Sequence, residues 1–167
     1  MSTSKHLRVP TTMQGVLPSY LRPSLRGMDG LSEDVIAFLS DGTRTGKLGY
    51  VAADGRPLVA PVWFIVDRNQ LVFNTAKQTA KARALSRDSR VVMCVDDQHP
   101  PYSFVQIQGT ASTSEDPDEL LDTATRIGGR YMGADRAEEY GRRNGVPGEL
   151  IVRITPTKVV KGFDIAE

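Results

Sequence analysis

The sequence predicts an α+β fold: a closed or split β-barrel of six to seven mainly antiparallel strands, with helices inserted at two places. Short apolar runs separated by turn residues indicate the strands, and helical patterns interrupt them after residue 78 and after residue 115. Strands and helices do not alternate regularly and no Gly-x-Gly-x-x-Gly motif occurs, which argues against a Rossmann domain. The 167 residues suffice for one domain with a full core.

The first 30 residues differ from the rest, because proline and glycine interrupt every apolar pattern in them. We therefore divide the chain into an N-terminal extended arm, residues 1–30, and a barrel domain, residues 31–167. Two roles stay open for the arm: partial disorder, or packing of its few apolar side chains over a neighbour or a site.

The first half of the domain begins with a helix and continues with strands. Ser32 caps the helix and Asp41-Gly42 ends it. Turn signals at residues 53–56 and 67–69 then separate apolar runs, which predicts strands at residues 47–51, 57–66 and 71–74. Because Pro57 and Pro61 cannot donate to a ladder, the second strand should be bulged or lie at an edge near Pro61.

The second half contains the two helical insertions. Asp116, Pro117 and Glu119 form a strong helix start, and the buried side of that helix is predicted at Leu120, Ala124, Ile127 and Tyr131. The other helices are predicted at residues 79–85 and 134–143. The remaining strands are predicted at residues 90–95, 103–111, 148–154 and 157–161.

Charge and cysteine content exclude several classes of protein. The 21 Lys and Arg residues nearly balance the 20 Asp and Glu residues, so no nucleic acid or anionic membrane is expected as a partner. No apolar segment approaches the length of a membrane span, and a soluble protein is expected. Cys94 is the single cysteine and lies in an apolar run, which favours a buried thiol in a reducing cytoplasm.

The usual catalytic motifs are absent from the sequence. His6 and His99 form no metal-ligand spacing, and no Gly-x-Ser-x-Gly motif is present. We therefore assign no catalytic residue and no metal site. A bound cofactor that brings its own reactivity suits such a chain better.

Residues 73–81 predict a phosphate site, because an apolar strand there runs into a short helix. A helix start offers unpaired N–H groups and the positive end of the helix dipole. Thr79 and Lys81 add a hydrogen-bond donor and a positive charge at that point. The alternative is structural: Thr79 only caps the helix, and Lys81 is a solvated side chain.

The chain resembles the split β-barrel flavin and deazaflavin oxidoreductases, the pyridoxamine-phosphate-oxidase-like proteins, over about residues 31–162. The segments that carry the resemblance are residues 56–63, 71–75, 79–81, 86–91 and 105–109. The Ala-Pro-Val-Trp-Phe strand at residues 60–64 and the segment 131–136 are most similar to the branch that uses the deazaflavin coenzyme F420.

The resemblance implies a cofactor site made of three segments. Main-chain groups of Val59, Ala60, Pro61 and Val62 would line the ring, Asn74 and Thr75 would border the linker, and Thr79, Ala80 and Lys81 would contact the phosphate. Relatives that hold FMN usually carry arginine at the positions of Val59 and Ala80. Both guanidinium groups are missing here, which favours F420 over FMN.

Further positions are candidates for binding the charged tail of F420 and for lining the substrate pocket. Arg44, Lys47, Arg56 and Lys77 are either cations for that tail or scattered solvated charges. Trp63 and Tyr50 are either core aromatics or ring-stacking partners, and Tyr131, Met132 and Arg136 either border a substrate pocket or only pack.

The resemblance therefore implies an F420H2-dependent reductase that transfers a hydride to an electron-poor substrate such as a quinone, an enone or a conjugated ring. The alternatives are an FMN-dependent oxidoreductase and a split barrel that binds a cofactor or ligand without turnover. A homodimer is also implied, since such barrels place the cofactor between chains. The strand around Val105 and Ile107 fits this expectation, because Gln106 and Gln108 give it one polar face.

Overall fold

The structure is a computed structural model, and it describes residues 30–166. The predicted arm lies outside the described residues, apart from Gly30. The described helices are α1 (Glu33–Ser40), α2 (Ala80–Arg87), α3 (Pro117–Met132) and α4 (Ala137–Asn144), with a 3₁₀ turn at Ala134–Arg136. The strands are β1 (Gly46–Val51), β2 (Pro57–Val62), β3 (Ile65–Asp67), β4 (Gln70–Ala76), β5 (Arg90–Asp97), β6 (Ser103–Ser114) and β7 (Glu149–Gly162).

The seven strands form one antiparallel sheet in the order β2-β1-β5-β6-β7-β4-β3. β2 and β3 lie at opposite edges of this sheet, yet only Trp63 and Phe64 connect them. The three chain steps from Val62 to Ile65 span at most about 10 Å. The sheet must therefore curl until its two edges meet, and this closure confirms the predicted split β-barrel with inserted helices.

The predicted strand over residues 57–66 is wrong in one respect, because it is two strands. Trp63 and Phe64 leave the ladder and carry the chain from one sheet edge to the other. The expected edge position near Pro61 is confirmed, since β2 pairs with β1 alone in the described part of the chain.

The two predicted C-terminal strands are one continuous strand, β7, which runs through Pro156. The pairing of β6 with β7 shifts register between Gln108 and Gly109, and Gly109 then lies opposite Pro156. A side chain at Gly109 would collide with the Thr155 carbonyl. The bulge and the glycine together allow proline inside a long strand.

The main core fills the interior of the barrel. Its fully buried residues come from many strands and include Leu48, Phe64, Phe73, Met93, Ile107 and Ile154. Val35 and Leu39 of α1 join this cluster. Apolar area of this extent supplies most of the free energy that favours folding.

A second apolar cluster lies between α3 and the outer face of the barrel. Ile65, Val72 and Ile151 of the strands contact Leu120 and Ile127 of the helix there. β4 and β7 are therefore buried on both faces. The predicted buried side of α3 is confirmed at Leu120, Ala124 and Ile127, and Tyr131 packs against the cluster.

Helix α3 continues through Gly128 and Gly129 to Met132. α4 packs directly against this turn. A Cβ on Gly128 would lie 2.5 Å from the Cβ of Tyr140, so the glycine permits a close contact between the two helices.

Arg130 of α3 ties the closure of the barrel to α1. Its guanidinium donates to the carbonyls of Phe64 at 2.7 Å, Leu39 at 2.7 Å and Gly42 at 3.0 Å. Leu39 lies in the last turn of α1, where carbonyls lack partners within the helix. One partly buried side chain thus satisfies acceptors from three segments.

Replacing Arg130 by methionine should lower the free energy of unfolding by about 3 kcal/mol, because three carbonyls lose a charged donor while the apolar stem is kept. Urea denaturation measures this change. Arg126→Met on the same helix is the control, since the exposed Arg126 pairs with Asp122 and with Asp67, and Asp67 keeps Arg153 as a partner. This change should cost at most about 1 kcal/mol. Equal losses in the two variants would contradict the assignment.

Candidate functional site

A cavity of about 330 Å³ lies beside the Trp63-Phe64 connection. Its lining comes from β2 and the residue after it, from β4 and β7, and from helices α2, α3 and α4. The lining residues are Pro61, Val62, Trp63, Asn74, Lys81, Ala124, Ile127, Asn144 and Glu149. Pro61, Val62, Asn74 and Lys81 belong to all three segments that the sequence predicts as the cofactor site.

The other predicted site residues do not line this cavity. Val59 is 71% exposed. Ala60 pairs with Leu48 of β1, Ala80 is the exposed first residue of α2, and Thr75 is buried. Their contacts with a cofactor stay predictions.

Thr79 caps helix α2, as the structural alternative expects. Its hydroxyl accepts from the Ala82 N–H at 3.2 Å and donates to the Ala76 carbonyl at 2.9 Å. The Thr75 hydroxyl oxygen lies 3.0 Å from the Thr79 hydroxyl oxygen. The hydroxyl of Thr79 is therefore engaged in holding the helix start, and a contact with phosphate would require it to exchange one of these bonds.

Lys81 differs from the other cations that the sequence singles out. Arg44 pairs with Asp41 and Asp97, Lys47 with Asp96, Arg56 with Asp54, and Lys77 with Glu115. Those four charges are already partnered by carboxylates. Lys81 is partly buried and, within residues 30–166, has no ion pair, so its charge is available to the cavity.

Asn74 places an unsatisfied amide beside this lysine. Both polar atoms of its side chain, Oδ1 and Nδ2, are buried without a hydrogen-bond partner in the described structure. Leaving such groups unpaired costs about 1–3 kcal/mol. An amide held at this cost in a cavity wall is the arrangement expected where a ligand supplies the missing partners.

Glu149, the first residue of β7, brings a carboxylate into the same cavity. Burial raises the pKa of this carboxyl group, and the charge of Lys81 opposes the rise. The cavity therefore combines one cation, one anion and an unpaired amide.

The family model described as pyridoxamine 5'-phosphate oxidase matches residues 31–161. The chain belongs to the pyridoxamine 5'-phosphate oxidase family. No curated protein matches the sequence significantly.

Solved structures share the fold of this family member at low identity. A conserved hypothetical protein from Mycobacterium tuberculosis, Rv2991, has a TM-score of 0.72 and 22% identity, covering 88% of this chain and 89% of its own. An F420 reductase has a TM-score of 0.59 and 24% identity, covering 74% and 94%. HutZ, a heme storage protein from Vibrio cholerae, has a TM-score of 0.63 and 18% identity, covering 83% and 99%. At these identities the likeness establishes the fold alone.

Trp63 forms an aromatic wall of the cavity in this family member. Its ring stacks on that of Tyr131 with centroids 4.9 Å apart and an angle of 1° between the planes, and it remains 38% exposed. The hydroxyl of Tyr131 accepts from the Phe64 N–H and donates to the Arg44 carbonyl. Trp63 therefore packs on Tyr131 and lines the cavity, and its stacking on a cofactor ring stays a prediction, whereas Tyr131 fixes the barrel closure.

The remaining positions considered for the substrate pocket lie elsewhere. Arg136 forms an ion pair with Glu139 and lies over the ring of Tyr140, and neither Arg136 nor Met132 lines the cavity. Tyr50 packs against the main core.

Glu149 and Asn144 line the cavity although the sequence did not indicate them. Glu149 follows a glycine at the start of an apolar strand, a position that usually holds a solvated charge. Asn144 ends a polar helix, where asparagine is ordinary. No local signal distinguishes these residues, because only the closure of the barrel brings β7 and α4 to Lys81.

Residues 30–166 lack two features. No group of His, Cys, Asp and Glu side chains there is arranged to hold a metal ion. None of the helices in this range has the length and apolar character needed to cross a membrane.

Asn74→Leu should stabilise the protein without ligand by about 1 kcal/mol, since it removes two unpaired polar atoms and keeps the side-chain volume. The change in the free energy of unfolding is measured by urea denaturation. Gln70→Leu on the same strand is the control, because the Gln70 amide donates to Thr155 at 2.8 Å and its loss should bring no gain. A loss of stability in Asn74→Leu would show that the amide has partners after all.

Proposed function

We propose that this protein is an F420H2-dependent reductase, which transfers a hydride between the deazaflavin and an electron-poor organic substrate such as a quinone, an enone or a conjugated ring. The observation that carries the proposal is the cavity. It joins Pro61 and Val62 of the ring-binding strand to Asn74 of the linker segment and Lys81 of the phosphate segment.

The edge position of β2 supports the placement of the ring. An edge strand pairs along one side only, and its other side offers main-chain N–H and C=O groups to a ligand. Main-chain recognition of this kind suits residues 59–62, whose side chains are small and apolar. The unpaired amide of Asn74 supplies a donor and an acceptor next to this strand.

The charge of the phosphate segment supports F420 over FMN. Val59 and Ala80 stand where relatives that hold FMN usually carry arginine, so no guanidinium fork is available at those positions. Lys81 provides a single positive charge at the start of α2. A singly charged phosphate matches this set better than a doubly charged one.

When bound, F420H2 supplies the hydride, and the protein has three tasks. Pro61 and Val62 would hold the ring, Trp63 would offer a planar surface to it, and Ala124 and Ile127 keep their part of the cavity wall apolar. Orientation of two planar molecules in a dry pocket accelerates hydride transfer without an essential acid or base. We accordingly assign no catalytic side chain, and we place the reaction in the cytoplasm because the single cysteine fits a reducing compartment.

Two other functions are compatible with the fold. FMN could replace F420, and binding without turnover is the alternative raised by the fold shared with a heme storage protein. Titration of the purified protein with F420 and with FMN separates the two cofactors. A screen of hydride acceptors, read as oxidation of F420H2, separates an enzyme from a carrier.

Lys81→Ala should weaken F420 binding by roughly ten- to a hundredfold and leave the fold intact, because a hydrogen bond to a charged group contributes about 1.5–3 kcal/mol. Fluorescence titration measures the affinity, which should also fall with added salt. Lys158→Ala, on the exposed part of β7, is the matched control. Unchanged F420 affinity in Lys81→Ala would mean that the phosphate is bound elsewhere.

We also propose that the protein is a homodimer with the cofactor near the interface. The outer face of the sheet carries Val51, exposed by 39%, and Val59, exposed by 71%, at its β1–β2 edge. The register places Gln106 and Gln108 of β6 on the same face, beside Cys94 and Val92 of β5. An apolar patch with a polar border is the composition expected of a subunit interface.

Light scattering at micromolar concentration should give the mass of two chains. Val59→Asp places a charge in the apolar part of the proposed contact and should shift the protein toward the monomer, with weaker F420 binding. Leu121→Asp, which alters a similarly exposed residue on α3, should leave the mass unchanged. A monomeric parent protein would overturn the dimer and weaken the cofactor placement with it.

A further inference from the structure

We propose that Glu149 is a specificity-determining residue that sets the charge of the cavity, so that the site accepts a singly charged phosphodiester and disfavours a doubly charged phosphomonoester. The inference rests on the proposed function, because it takes Lys81 as the ligand of the cofactor phosphate. It concerns a residue that lies outside the three segments assigned to the cofactor.

The geometry places Glu149 opposite the phosphate segment. β7 pairs with β4, and the register puts Glu149 beside Ala76, two residues beyond Asn74. Glu149 and Lys81 both line the 330 Å³ cavity. A carboxylate in this position lies within the reach of any anion that Lys81 attracts.

Other charges near Glu149 cancel. A neighbouring cavity of about 190 Å³ is lined by Glu149 together with Lys77 and Glu115, and those two residues form an ion pair with each other. Lys81 is the cation that acts on Glu149 from α2, and its charge lowers the pKa that burial raises. The charged side chains that line the two cavities therefore sum to about zero when Glu149 is ionised.

This balance discriminates between phosphates by their charge. Attraction to Lys81 and repulsion by Glu149 both grow in proportion to the charge of the ligand. Glu149 therefore cancels the gain that a dianion would draw from Lys81, at a cost about twice that for a monoanion. The phosphate of F420 is a diester with one charge, whereas that of FMN is a monoester with a second pKa near 6. Without the two arginines, nothing at positions 59 and 80 offsets the second charge.

The test compares ligands that differ only in the phosphate. Affinities of FMN and riboflavin are measured at pH 8 by fluorescence titration, and their ratio reports the contribution of the phosphomonoester. F420 is titrated in parallel as the phosphodiester. We expect the parent protein to bind FMN no more than threefold tighter than riboflavin.

Glu149→Gln removes the charge and keeps the side-chain volume. We expect it to raise FMN affinity about tenfold and F420 affinity about threefold, and to leave riboflavin affinity unchanged. Asp118→Asn is the matched control, because it removes an exposed negative charge that lines neither cavity. It should leave the ratio of FMN to riboflavin affinity unchanged, and circular dichroism checks that both variants are folded.

Three results would overturn the proposal: a ratio of FMN to riboflavin affinity that is the same in Glu149→Gln and the parent, an equal gain for FMN and F420, or a parent protein that already prefers FMN over riboflavin by thirtyfold.

Lys81→Ala in the same assay identifies which assignment failed. If Lys81→Ala changes the ratio and Glu149→Gln does not, Glu149 alone loses its role. If neither changes it, the phosphate site is misplaced and the inference falls with it. Failure of the parent to bind F420 would refute the proposed function, while the FMN and riboflavin ratio would still test Glu149.

Discussion

The main chain of Phe64 is the point on which the architecture depends. Phe64 and Trp63 alone connect the two edges of a seven-stranded sheet, and Phe64 leaves the ladder while its side chain is completely buried. Its N–H bonds to the Tyr131 hydroxyl and its carbonyl to the Arg130 guanidinium. Two consecutive residues of α3 thus satisfy both polar groups of the closing residue, which a buried main chain requires. The barrel closes because a helix inserted far along the chain supplies these partners.

The same closure creates the cavity. Once β2 turns at Trp63, its last residues lie against β4 and the start of β7, and α2 contributes Lys81. The cavity wall contains features that do not favour folding: an amide without partners in Asn74 and a carboxyl group whose pKa burial raises in Glu149. Natural proteins place such costs where binding demands them, and the rest of the domain offsets them with a large apolar core.

Local chemistry explains which elements could be predicted. Asp116 caps α3 by accepting from the Glu119 N–H at 2.9 Å, and Pro117 follows it at the first helical position. Arg68 and Asn69 both adopt positive φ in the hairpin between β3 and β4, where the turn was expected. In contrast, the break at Trp63 and Phe64 was missed because ten consecutive residues from Pro57 to Val66 read as one apolar strand. The continuity of β7 was missed because Pro156 is tolerated only through a register shift on the neighbouring strand.

The residues alone determined the fold class, the order of elements and four members of the cavity wall: Pro61, Val62, Asn74 and Lys81. Those predictions depend on short-range signals such as apolar periodicity, caps and turns, and on segments that resemble a known family. The tertiary structure decided which of the predicted cations are paired with carboxylates. It pairs Arg44, Lys47, Arg56 and Lys77 with carboxylates, and it brings Glu149 to Lys81 from 68 positions away in the sequence (149 minus 81). Electrostatic partners are set by distance in space, and that distance exists only after the two sheet edges meet.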